Sequence, residues 1–203
     1  MALDTALALM GFAFVMSISP GPANFLLLAS GVNFGFTRSL PLVFGISAGF
    51  LSMVFLVGIG LGEVLESAPV IGTVMRIACA GYILFLAWKI ARSRSMGPGE
   101  GERMERPVTV VQAALLQVLN PKAWAVALIV TVSYTDPGDY MPSLIAMIAL
   151  FAVVILPSIS AWAISGVALR RLIGNGRMVV IVNLVMAALL VGSMVPVLLG
   201  TFG

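Results

Sequence analysis

Two short runs hold most of the residues able to do chemistry: Ser19-Pro20-Gly21-Pro22 and Asn120-Pro121-Lys122. Each falls in the middle of a long apolar segment. A proline has no backbone N–H, so Pro20, Pro22 and Pro121 release the carbonyls of Met16, Ile18 and Gln117 from their helical partners. Gly21 adds no side chain to cover the exposed backbone. Released carbonyls, an amide at Asn120 and an ammonium at Lys122 together make a polar site in apolar surroundings. Such chemistry suits binding a small polar solute. It does not suit bond breaking: without His or a buried acid no nucleophile–base pair can be assembled, and the chain is not expected to be an enzyme.

Composition says what surrounds these runs. Hydrophobic residues make up 61% of the 203 and charged residues 9%, with a mean hydropathy of +1.13. A soluble domain carries about a quarter charged residues, so this is an integral membrane protein. The net charge of +3 comes from basic residues in loops between apolar segments and is no nucleic-acid signature. There is no His, and Cys79 stands alone, which excludes disulfide frameworks, CxxC redox pairs and the usual zinc sites. The 12 Met show no clustered spacing and read as apolar packing. No cofactor or metal is called for.

Six apolar segments, near 4–30, 39–62, 68–90, 108–134, 142–165 and 178–200, are each long enough to cross a bilayer as a helix. The expected fold is all-α, one membrane domain over 1–203, with the first and fourth spans broken by the proline runs. Residues 1 to about 29 lack a basic leader and read as a retained first span. Residues 91–107, rich in Gly, Pro and charge, form a linker between half one (1–90) and half two (108–203). Three spans per half make the halves inverted, and the interval from Pro20 to Pro121 recurs from Pro41 to Pro142. Paired interrupted spans in inverted halves mark the binding site of a transporter. Lys and Arg gather at Arg38, in 89–106 and in 170–177, whereas Glu63, Glu66, Asp136 and Asp139 lie in the other connections. The positive-inside rule puts the basic loops in the cytoplasm and both termini outside.

Lys122 lies roughly a dozen residues, about 18 Å of helix, from either end of its span. An ammonium at that depth costs about 3 kcal/mol or more unless a cavity or partner compensates. It either fastens the break by bonding released carbonyls or binds solute or coupling ion. The second halves of both broken spans start at one depth, so their positive dipole ends favour an anionic group there, and the released carbonyls favour a cation. A zwitterion such as an amino acid fits both. Candidate substrate-binding residues are therefore Pro20, Gly21, Pro22, Asn24, Asn120, Pro121 and Lys122. Arg76, inside the third span, is a candidate gate or a partner for Glu63 or Glu66. Gly45 and Gly49 form a small-residue face suited to close helix packing. Gln112 and Asn183 fall near cytoplasmic ends and are not singled out.

The run SISPGPANFLLLASGVNFGFTRSLPLVFGISAGF, with GYILFLAWKIARS and QAALLQVLNPKAW, resembles the LysE/RhtB family of amino-acid exporters. The likeness covers most of 10–130. In the family pattern an asparagine directly follows the second proline; here Ala23 intervenes and Asn24 follows. The resemblance implies export of amino acids or derivatives across a bacterial inner membrane, driven by the proton motive force. The Asn-Pro-Lys form looks like the branch for neutral amino acids such as homoserine, threonine or leucine, with the cysteine/O-acetylserine exporters a similar subgroup. Expected partners are the amino acid, a proton, the lipid bilayer and a second copy in a homodimer. The alternatives are a thiol-disulfide electron carrier, which needs a second cysteine at the breaks, and a metal-ion exporter, which needs soft ligands or buried carboxylates.

The topology has a direct check. In a Cys79→Ala background, cysteines at Ser95 and Gly138 are expected to react with an impermeant thiol reagent from opposite sides of the membrane. Reaction of both from one side in intact cells would overturn the inverted halves.

Overall fold

The computed structural model describes residues 3–61, 69–92, 107–172 and 176–192. Eight α-helices make up the regular structure of these residues, with a short π turn and a 3-10 turn and no strand among them. They are α1 (Leu3–Ile18), α2 (Pro22–Phe34), α3 (Phe36–Leu56), α4 (Pro69–Arg92), α5 (Val110–Val118), α6 (Pro121–Ser133), α7 (Tyr140–Leu172) and α8 (Gly176–Gly192). The side chains of Arg76, Cys79 and Lys89 in α4, together with Glu63, Glu66 and linker residues 93–106, lie outside the described residues.

The breaks fall where proline puts them. α1 and α2 meet at 59°, and α5 and α6 at 71°. Pro22 and Pro121 each open the second helix of a pair. The missing N–H does least harm there, because the first amides of a helix lack intrahelical partners anyway. Other ends follow local chemistry too. Thr109 caps α5 through a reciprocal capping box with Gln112, which accounts for that glutamine. Gly35 joins α2 to α3 at φ 81, and Gly60 takes φ 111 in the π turn after α3. Both angles favour glycine.

By length and composition α3 and α7 can each cross a membrane, and counting each bent pair as one span brings the total to four. The 24-residue α4 and the 17-residue α8 pack against each other. Large apolar side chains such as Phe14, Phe44, Val153 and Ile164 are more than half exposed, as a lipid-facing surface requires.

Cross-packing brings the breaks together. α1 and α2 lie on α7, α5 lies on α3, and α3 and α7 pack along the centre. Phe50 and Phe151 meet there with ring centroids 5.0 Å apart. Missing side chains set the closeness of these crossings. A Cβ at Gly31 would run into the carbonyl of Ala163, one at Gly166 into that of Leu28, and one at Gly45 into that of Val110. At Gly49 it would stand 2.6 Å from Ala114 Cα. The opposing atoms are backbone and cannot rotate away.

Gly31→Ala and Gly166→Ala are therefore expected to lower the thermal stability of the detergent-purified protein by about 1–3 kcal/mol, the usual cost of overpacking. Gly11→Ala, where a Cβ meets nothing within 4 Å, serves as the control and should not destabilise.

Candidate functional site

The donor deficit made by the prolines is met by side chains from three helices and by the break segments. The carbonyl of Met16 accepts from Ser19 Oγ at 3.1 Å. That of Ile18 accepts from Trp162 Nε1 of α7 at 3.2 Å. That of Gln117 accepts from the Asn120 amide at 3.0 Å, and Trp124 Nε1 reaches the Val118 carbonyl at 2.8 Å. Asn24 donates through Nδ2 to the carbonyls of Ser17 at 2.9 Å and Ser19 at 2.7 Å. The carbonyls expected to face a cationic group are thus already engaged. The reason is that unsatisfied carbonyls in an apolar interior are costly, and donors were within reach.

Lys122 does not fasten its own break. Its Nζ crosses to the other one and donates to Ser19 O at 2.8 Å and Ser19 Oγ at 2.7 Å. Its stem lies over Gly21, where an added Cβ would stand 3.1 Å from Lys122 Cδ. A larger residue there would press on the lysine stem, which would have to shift by a few tenths of an ångström; the extended backbone of Gly21 (φ −174) is one that any residue can adopt.

All seven residues expected at the site come together around two spaces. An inner cavity of about 60 Å³ is lined by the polar Asn24, Asn120 and Lys122 together with the apolar Ile46, Phe50 and Phe151. A larger space of about 530 Å³ lies between the two breaks, α6 and α8. The two share a wall of Met16, Gly21, Pro22, Asn120 and Lys122, so the Ser19–Lys122 pair stands at their boundary. The N-termini of α2 and α6, at Pro22–Asn24 and Lys122–Ala123, both line the inner cavity and direct positive dipole ends toward it. Among the described residues no carboxylate lines either space, and Lys122 is the sole cation in both linings. Asn120 Oδ1 is buried there without a partner.

Several participants were not singled out from sequence for their side chains: Ser17, Gln117, Trp124 and Trp162. Ser17 and Gln117 carried a signal, each being a polar residue about one turn before a proline in an apolar span. Trp162 carried none, since nothing local ties it to Ile18. Asn183, fully buried in α8, lies within 3.4 Å of Asn33 and is not in either lining. Gly45 and Gly49 face α5 and leave both spaces.

The role of Trp162 can be isolated. Trp162→Phe keeps an aromatic ring for the edge-on contact with Phe25, whose centroid is 5.8 Å away, and removes the donor to Ile18. A loss of about 1 kcal/mol in thermal stability is expected, the scale of one hydrogen bond inside a membrane protein.

Residues 14–200 match the family described as LysE type translocator. A cysteine/O-acetylserine efflux protein of Klebsiella pneumoniae is 30% identical over 186 residues, covering 91% of this chain and 92% of the relative. The protein of the same description from Escherichia coli K12 is 31% identical over 190 residues, covering 89% and 90%. No solved structure matches. With its apolar helices, two proline breaks and this match across most of its length, the chain is a multi-pass membrane protein and belongs to the LysE type translocator family.

Proposed function

We propose that this chain exports a small uncharged amino acid or a derivative across the bacterial inner membrane, coupled to proton movement. Cysteine and O-acetylserine, the substrates in the names of its relatives, are the first to test. In this reading the six spans form two inverted halves with both termini outside. The substrate carboxylate is drawn to Lys122 and to the positive ends of α2 and α6. The ammonium donates to Asn120 Oδ1, the unpartnered acceptor, in place of the engaged backbone carbonyls. Asn24 holds the end of α1 so that the cavity keeps its shape.

The observation that carries the reading is the Lys122 ammonium, spanning the two breaks at the wall between the inner cavity and the larger space. A cation held there by neutral oxygens, with no carboxylate among the described lining residues, is an anion site awaiting its anion. Substrate binding would draw Nζ from Ser19 and open the boundary. As the one ionisable group among the described residues of both linings, Lys122 is also where a proton would be exchanged.

A purely structural Lys122 is harder to sustain. Ser19 O keeps Asn24 as a second donor, and Ser19 Oγ keeps its bond to Met16 O, so removing the ammonium orphans neither. Lys122→Met is expected to leave membrane abundance near wild type and to lower export of cysteine or O-acetylserine at least about a hundredfold, the scale of a lost charged contact. Lys122→Arg should retain partial export, since a planar fork replaces a point charge. Export at the wild-type rate by well-expressed Lys122→Met would reject the role, as read by substrate accumulation in the medium of expressing cells.

A further inference from the structure

Two more polar atoms in the inner cavity lack partners: Ser17 Oγ, at the end of α1, and Gln117 Nε2, at the end of α5. Both residues are almost wholly buried, Ser17 at 7% exposure and Gln117 at 2%. They are offered by the first halves of the two broken spans, whereas Lys122 and the positive helix ends belong to the second halves. Leaving a buried amide N–H or hydroxyl unpaired is costly, and few are kept. Two residues that line one cavity, each carrying a buried polar atom without a partner, therefore imply something that pairs with them. The remaining lining is aliphatic and aromatic, from Ile46, Phe50, Val126, Phe151 and Ile155.

Resting on the proposed function, we propose that Ser17 and Gln117 form a side-chain subsite that selects an uncharged hydrogen-bonding group on the substrate. Gln117 Nε2 donates to a hydroxyl or carbonyl oxygen, and Ser17 Oγ donates or accepts as the group demands. Lys122 and Asn120 hold the zwitterionic end common to all amino acids and cannot discriminate among side chains. Charged side chains are rejected because the subsite offers no countercharge. Apolar side chains of equal size are disfavoured because they leave Ser17 and Gln117 unpaired, the situation in which a site rejects an analogue most strongly.

The test measures binding by the purified full-length protein in detergent with two size-matched probe pairs, L-serine against L-alanine and L-threonine against L-valine. The wild type is expected to prefer the hydroxyl member of a pair by about tenfold or more. Gln117→Leu and Ser17→Ala should each reduce that preference several-fold. Two substitutions are used so that a folding defect in one still leaves a decisive result in the other. Ser47→Ala is the control: its hydroxyl is also buried and unpartnered, but Ser47 is not in the cavity lining, so the preference should hold. Lys122→Met tests the parent reading separately, because it should weaken both members of a pair alike. A wild type without preference, one that binds neither member, or an undiminished preference in both subsite variants would overturn the subsite. The last result would mean that Ser17 and Gln117 are paired by ordered water alone.

Discussion

Inside an apolar slab a backbone carbonyl has no water to fall back on, and each proline placed there creates a debt of one donor. The region around both breaks follows from how that debt is settled. Ser19 Oγ, Trp162 Nε1 and the Asn120 amide take the carbonyls released by Pro20, Pro22 and Pro121. Asn24 and Trp124 serve those left at the helix ends. The breaks are therefore held rigidly at their backbone, and what stays open is side-chain chemistry: one ammonium, one amide oxygen, one amide nitrogen and one hydroxyl. This moves recognition away from carbonyl cages, the usual device for cations, and toward a site able to receive an anionic group.

The same constraint explains why the broken spans must pack against other helices. A broken span exposes polar backbone, so it has to be covered by protein, and α7 covers the first break with Trp162 while α3 runs beside α5. Close crossing at Gly31, Gly166, Gly45 and Gly49 allows backbone to meet backbone across these contacts. Association of helices in lipid relies on such packing, because the lipid is as apolar as the side chains it replaces. Once the crossings are made, the two breaks face each other and Lys122 can reach Ser19. The site is thus a consequence of the packing and has no existence in either broken span alone.

A boundary made of one lysine and one serine is well suited to a transporter. The Ser19–Lys122 contacts are short, yet Ser19 retains other partners when they part, so opening costs little beyond the ammonium's own solvation. A substrate carboxylate can supply that compensation. Gly21 leaves room for the lysine stem beside this contact.

Much of this was legible in the chain. The positions of the breaks follow from Pro20, Pro22 and Pro121 because a missing N–H is a local fact that no environment restores. The packing face of Gly45 and Gly49 follows from their spacing on one side of a helix. Which donor answers which carbonyl was not legible. Trp162 meets Ile18, and Lys122 meets Ser19, across separations of 144 and 103 residues, and no periodicity encodes such pairs. The carbonyls released at Met16, Ile18 and Gln117 are taken by protein donors: sequence shows which acceptors are set free, whereas only the folded packing decides who claims them. Hydrogen bonding is directional and short-ranged, so its accounts can be closed only where the helices have come together.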